Sequence, residues 1–197
     1  MPTTNYLNKK FDMIVATDLN WGIGYNNKLL VKVSQDMDFF KERTYGSVVV
    51  MGRKTSESLP NGYLKNRINI ILSQSFNDKV FSHHIDGTTA VVHINSIENL
   101  NEFIISQNLT RYKIIIIGGR SIYLEFLQRD LIDRVFLTTF LKKFKYVDTY
   151  IPDLYTLGFK YDIKNPNHII TGYEQPQKAI IDRKPSNMEF TIHTLTL

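Results

Sequence analysis

Along much of the chain, short all-apolar runs alternate with polar stretches of helical spacing. Phe11 to Thr17 (FDMIVAT) reads as a strand, Val48 to Met51 (VVVM) as another, and Ile68 to Leu72, Thr89 to His93 and Lys113 to Ile117 as further strands. Runs of this kind suit interior parallel strands covered on both faces. Between them the pattern predicts a Gly/Asn loop from Asp18 to Asn27 and a helix with Ser34 as its N-cap, ended by the Tyr45-Gly46 break. It also predicts a helix from Ile97 to Ser106 with Ser96 as N-cap, and one from Arg120 to Gln128. Strands alternating with helices predict an α/β sheet with right-handed crossovers. The tail departs from this order: Arg134 to Phe140 and Phe190 to Leu197 read as antiparallel strands at one edge, joined by a long polar excursion from Asn165 to Asn187. No repeat or linker divides the chain, so one domain over residues 1–197 is expected, with residues 1–10 as a flexible extension.

Within this scheme Asp36 stands out. At helical spacing it shares a face with Val33, Phe39, Phe40 and Arg43, which sets its charge against apolar side chains, a costly arrangement unless the carboxylate is paired. The simpler alternative is local: any acid in the first turn of a helix favours the helix dipole. Two strand-to-helix junctions add chemistry. "IIIIGGRSIY", Ile114 to Tyr123, ends a buried strand in Gly118-Gly119, where backbone can approach a ligand and helix N–H groups face phosphate; it is not the GxGxxG fingerprint. "VVVMGRKTSESLP", Val48 to Pro60, places Gly52, Arg53, Lys54 and Thr55 beyond a strand's carboxyl end, which suits a phosphate in an open α/β sheet but equally describes a solvated turn.

Composition narrows the picture only a little. The 197 residues are 43% hydrophobic, ordinary for a globule with a real core. With no cysteine there is no disulfide framework or thiolate chemistry, and Met1 to Lys10 lacks an apolar signal core, so a cytosol-like compartment is expected. The net charge of +5 comes from 24 basic and 19 acidic residues scattered along the chain, so it supports an anionic ligand weakly and also permits an RNA-binding role. His83-His84 reads as a polar loop pair, with no partner ligands nearby for a metal.

Taken in order, these residues resemble the dihydrofolate reductase family. The resemblance rests on Ala16 in the first strand, "GIG" at Gly22 to Gly24, "QDMDFFKERT" at Gln35 to Thr44, "MGRKT" at Met51 to Thr55 and "ESLP". It continues through "RINIILS" at Arg67 to Ser73, "IGGRSIY", "FLTTF" and "DTYIP" at Asp148 to Pro152, covering Met13 to Pro152 before it weakens. It implies a single-domain dihydrofolate-reductase-like α/β fold, with a mostly parallel central sheet flanked by helices and antiparallel C-terminal edge strands. The implied activity is NADPH-dependent reduction of dihydrofolate to tetrahydrofolate, in support of thymidylate, purine and one-carbon metabolism. Hydride reaches C6 of the pterin and N5 gains a proton.

The resemblance also implies residue roles. Asp36 falls on the family's single acidic position, binding the pterin 2-amino side and favouring N5 protonation through water and ring tautomers. Ile14 and Ile117 would offer backbone carbonyls to the ring's amino edge, Ala16, Met37 and Phe40 would pack around it, Thr138 would support Asp36, and Arg67 would grip the α-carboxylate of the glutamate. For NADPH, Gly52, Arg53, Lys54 and Thr55 match one phosphate-binding segment and Gly118, Gly119, Arg120, Ser121 and Ile122 the second. Leu72, Ser73 and Gln74 lie on the adenosine side, Ile23 and Gly24 on the loop closing over nicotinamide, and Tyr123 and Ala16 beside that ring. No metal is implied. The implied partners are dihydrofolate, antifolate inhibitors and a possible fused or associated thymidylate synthase, with neither nucleic acid nor membrane and a cytoplasmic location. The related reductase domain of riboflavin biosynthesis shares fold and cofactor, but Asp36 with Arg67 favours folate. Two departures stand out. Leu30-Val31 replaces the usual Pro-Trp, which predicts a lost indole donor and open space at that wall. Gln74 replaces a frequent cation or hydroxyl, leaving Arg53 to discriminate against NADH. The segments Phe76 to Thr88 and Asn165 to Asn187 carry no assigned role.

Overall fold

In the computed structural model the described residues are 11–77, 80–162, 170–174, 178–179 and 188–197; the expected extension at residues 1–10 and much of the Asn165 to Asn187 excursion lie outside them. In chain order the elements are β1 (Phe11–Thr17), β2 (Gly22–Tyr25), β3 (Lys28–Leu29), β4 (Val31–Lys32), α1 (Ser34–Thr44), β5 (Val48–Gly52), α2 (Arg53–Ser58) and β6 (Ile68–Leu72). Next come β7 (Val80–His84), β8 (Ala90–Ile94), α3 (Ile97–Ser106), a 3-10 turn at Leu109–Arg111, β9 (Ile114–Gly118), α4 (Arg120–Gln128) and β10 (Ile132–Phe140). The tail holds β11 (Thr149–Tyr150), β12 (Lys160–Tyr161), β13 (Ile170–Glu174), β14 (Lys178–Ala179) and β15 (Met188–Thr196).

A ten-stranded sheet runs β12-β15-β10-β1-β9-β5-β6-β8-β7, with β13 also beside β15. From β10 to β8 every pairing is parallel; β15 joins β10 antiparallel, and β7 joins β8 antiparallel. β5, β6 and β9 bury both faces, and apart from Asn69 and the closing glycines their residues are apolar. Val48 and Val50 pack into one core with Ile97, Leu100 and Ile104 of α3 and Phe126 of α4, while Val49 and Met51 point to the opposite face. On that second side α1 contributes Val33's neighbour Phe39 to a cluster with Ile14, Ile115, Phe136 and Phe190.

Several expectations need correction. Ser34 is the first residue of α1, not its cap: Val33 holds the cap position, extended and fully buried, without a side-chain capping bond. Packing of Val33 sets the helix start. The Asp18 to Asn27 loop contains β2, paired with both β3 and β11. β10 and β15 pair antiparallel as expected, but β10 also pairs parallel with β1 on its other side, which sets it inside the sheet. His83 and His84 belong to β7, an edge strand built from the Phe76 to Thr88 segment, and the His83 ring stacks 6.1 Å from that of His93. The wall at Leu30-Val31 is closed: both residues are buried in the cluster with Val33, Phe140 and Phe144, and Ala179 of β14 pairs with Val31. Burial in that cluster leaves neither side chain lining an open wall.

Candidate active site

The carboxyl ends of the parallel strands lie on one edge of the sheet. There β9 inserts between β1 and β5, the kind of crevice where open α/β sheets bind ligands. α1 crosses that edge and brings Asp36 against β10. Asp36 is 6% exposed, and Thr138 Oγ1 donates a hydrogen bond to its Oδ1 at 2.6 Å. Burial pushes the Asp36 carboxyl above the ordinary aspartate range, and the Thr138 hydroxyl only partly offsets it. Ala16 of β1 stands in register with Thr138, half-buried beside it. Ile117, Met37 and Phe40 are also half-buried around this acid's side of the sheet.

From the opposite side comes Tyr123 of α4, buried, whose hydroxyl donates to the Ile14 carbonyl at 2.8 Å. Burial raises the phenol's pKa, and the Asp36 charge raises it further, so the hydroxyl stays protonated as a fixed donor facing the acid. Gly118 makes this approach possible. Its φ is +111°, and a Cβ there would sit 3.0 Å from Tyr123 Cζ.

The cofactor candidates form a second group. β5 and β9 are adjacent, and Met51 stands opposite Gly118, so the segments following the two strands meet. A Cβ on Gly119 would lie 3.0 Å from Thr55 Oγ1. Gly52 and Gly119 are the N-cap residues of α2 and α4, and neither helix start is closed by a side-chain cap. Arg53 and Lys54 are exposed, and Arg53 pairs with Glu57 on the same short helix. Ser73 Oγ lies 2.8 Å from Ser75 Oγ just past β6, and Gln74 is exposed. Leu72 and Ile122 instead turn their side chains into the core, and Ser121 faces outward. Gly residues, free helix starts, two cations and hydroxyls make a donor set that fits a dinucleotide phosphate.

Arg67 stands apart from both groups. It is 8% exposed, and its guanidinium donates to the Lys41 carbonyl at 3.1 Å, to Thr44 Oγ1 at 3.1 Å and to the Lys65 carbonyl. Those α1 partners follow Asp36 by five to eight residues, so the guanidinium lies about 8–12 Å along the helix from the acid. Tyr45, exposed, places its ring 5.9 Å from the Arg67 guanidinium carbon.

Ile23 and Gly24 sit in β2, whose loop is tied down by Asp18 and Asp148, to which the motif reading gave no role, and by Arg120, which it set on the cofactor's phosphates. Asp18, 2% exposed, accepts from the backbone N–H groups of Asn20 and Gly22, each at 2.8 Å, and from Phe144 N–H at 3.1 Å. Asp148 accepts from Asn26 N–H at 2.8 Å, and Arg120 Nε donates to the Tyr150 carbonyl at 2.9 Å. An Asp directly after a strand and before Asn-x-Gly is the local signal that could have found Asp18. Among the described residues no group of three His, Asp or Glu is placed to hold a metal, and no helix is long and apolar enough to cross a membrane.

Comparison with known proteins identifies the family. The dihydrofolate reductase family model matches residues 10–171. The dihydrofolate reductase of Schistosoma mansoni is 31% identical over 153 residues, 73% of this chain and 78% of the relative. That of Candida albicans is 34% identical over 128 residues, 59% of this chain and 60% of the relative. The bifunctional dihydrofolate reductase-thymidylate synthase of Paramecium tetraurelia is 37% identical over 131 residues, 66% of this chain but only 26% of that protein's length. The family model spans most of the chain, which therefore belongs to the dihydrofolate reductase family of nicotinamide-dependent oxidoreductases.

Proposed function

We propose that this chain reduces dihydrofolate to tetrahydrofolate with NADPH. One observation carries the reading: α1 sets a buried acid near its start and a buried guanidinium near its end, about 8–12 Å apart along the axis. Folate has the matching polarity, a pterin with amino and lactam groups at one end and a glutamate at the other.

On this reading the Asp36 carboxylate accepts from the pterin's 2-amino edge and fixes the ring. Its raised pKa suits proton handling near neutrality, and it favours protonation at N5 through water because it cannot reach that atom itself. Ile14 and Ile117 offer carbonyls to the same edge; Ile14's oxygen has a second lone pair beyond the one Tyr123 uses. Ala16, Met37 and Phe40 exclude water from the ring. Arg67 has further N–H groups to present to the glutamate α-carboxylate, with three of its five already anchoring the fork. NADPH, when bound, supplies the hydride. Gly52, Thr55, Gly118 and Gly119 would hold its phosphates, Arg53 and Lys54 its 2′-phosphate, with Ser73 and Gln74 on the adenosine side and Ile23, Gly24 and Tyr123 by the nicotinamide. The same site is the target for antifolates. Several relatives are named as bifunctional with thymidylate synthase, which supports a working association with that enzyme, fused or separate. A cytoplasmic location fits the absence of cysteine.

The test is NADPH oxidation by the purified chain with dihydrofolate present and absent, and the same assay with NADH. Oxidation that does not depend on dihydrofolate refutes the substrate; equal rates with NADH at limiting cofactor refute the cofactor choice.

A further inference from the structure

The centre of the second sheet face holds a residue that no catalytic or binding role claims. Asn69, on β6, is fully buried and stands between Val49 of β5 and Val91 of β8, a position where an apolar side chain would pack without any polar demand. Its amide is used on every side. Oδ1 accepts from Leu64 N–H at 2.8 Å, and Nδ2 is shared among the carbonyls of Leu64 at 2.9 Å and of Arg67 and Ala90, each at 3.2 Å. The side chain thus pairs with both backbone groups of Leu64, as a neighbouring strand would, and ties the turn that follows to β6 and β8.

That turn ends in Arg67. Asn66 within it has a φ of +58°, and its N–H donates to Thr89 Oγ1 at 3.0 Å, while Gly46 N–H donates to its carbonyl at 3.0 Å. The guanidinium then reaches α1 from a backbone whose path is set residue by residue, and it also bonds the Lys65 carbonyl of the same turn. Leu64 itself packs against Val49, Met51, Ile71 and Val91. A buried, fully bonded amide in an otherwise apolar face costs desolvation, and its partners here belong to the arginine's turn and to β8.

We propose that Asn69 is a positioning residue for recognition of the substrate's carboxylate, holding the Leu64 to Arg67 turn so that the Arg67 fork meets a glutamate tail without first being ordered. This rests on the reading of Arg67 as the carboxylate site. Asn69 touches neither ring nor cofactor, so its effect should be confined to ligands that carry the carboxylate.

The experiment compares Asn69→Leu, which fills the space without the amide, with wild type on dihydrofolate and on dihydropteroate, which lacks the glutamate. NADPH affinity serves as the control for folding. The expected result is a KM for dihydrofolate raised about tenfold, kcat within about twofold, and the dihydropteroate KM and NADPH affinity unchanged. In the double variant with Arg67→Leu, the Asn69 substitution should add nothing further, because the group it positions is gone. Equal losses on both substrates, an unchanged dihydrofolate KM, or additive losses in the double variant overturn the proposal. If Asn69→Leu does not fold, Asn69→Ser, which is smaller and keeps a hydroxyl, decides by the same pattern at lower amplitude. Arg67→Leu alone separates the two readings: if it fails to distinguish the substrates, the carboxylate assignment itself falls; if it distinguishes them and the Asn69 variants do not, only the positioning role falls.

Discussion

The two ends of the cleft are built on opposite plans. Around the acid and along α1 the functional side chains are buried and already bonded: Asp36 to Thr138, Tyr123 to the Ile14 carbonyl, and Arg67, farther along the helix, to three acceptors. At the phosphate end the side chains are solvated. The Arg53 side chain is 47% exposed and its partner Glu57 56% exposed, and the shape of the site comes from glycines and helix starts. The difference teaches where affinity resides. A pre-bonded side chain in low dielectric acts as one irreplaceable group, whereas a backbone cradle spreads its contacts and tolerates the loss of a surface cation.

Substituting the acid should break the comparison most severely. Asp36→Asn is expected to lower turnover at neutral pH by roughly 100-fold or more while leaving NADPH binding intact. The deficit should shrink as pH falls, because solvent can then protonate the substrate, and a pH profile of single-turnover hydride transfer measures this. The same substitution should stabilise the fold. Burial raises the carboxyl's pKa above its unfolded value, so the folded state binds the extra proton and stability falls as pH rises through the window between the two values. Thermal melts should therefore show Asp36→Asn more stable than wild type at neutral pH, with the gain vanishing below the ordinary aspartate range.

Next in size is Arg67→Leu. Loss of a charge-assisted contact worth about 1.5–3 kcal/mol predicts roughly 10- to 100-fold weaker dihydrofolate binding, measured by fluorescence titration, with dihydropteroate hardly affected. Thr138→Val should sharpen the picture at the acid itself. The hydroxyl lowers the Asp36 pKa against the larger effect of burial, so its removal should shift the acid's titration in the pH–rate profile upward. An unmoved profile would mean that the hydroxyl does not tune the carboxylate.

The smallest effects belong to the phosphate end. Arg53→Ala should weaken NADPH more than NADH, by no more than about tenfold in the ratio, since the guanidinium is exposed and shared with Glu57. Glu57→Gln, which frees that cation, should tighten NADPH slightly and leave NADH unchanged. Equal changes for both cofactors would move Arg53 from the 2′-phosphate to the pyrophosphate.

Local pattern was enough wherever an element is defined by its own residues. β1 and β6 carry the limits their apolar runs predict, and α3 runs from Ile97 to Ser106 with Ser96 Oγ accepting from Asn99 N–H at 3.2 Å, as a serine before an amphipathic run requires. Helical spacing sets Asp36 among Val33, Phe39 and Phe40 but equally allowed an ordinary first-turn acid, and the family resemblance was needed to single it out. What escaped depends on partners far away along the chain. β2, β3, β11 and β14 are short ladders whose existence lies in their pairing, not in any periodicity of their own. β10 shows nothing in its sequence of being parallel to β1.

By itself, then, the order of apolar runs, glycine turns and single charges determined the parallel α/β core and which residues could carry chemistry. Only the tertiary structure decided how those residues are held. Asp18 meets Phe144, Asp36 meets Thr138, and Asn69 meets Leu64 and Ala90 through hydrogen bonds whose worth depends on burial. Burial is a property of the packed fold: the same aspartate or asparagine is an ordinary solvated group until neighbouring strands remove its water, and only then does one hydroxyl or one amide set its energy.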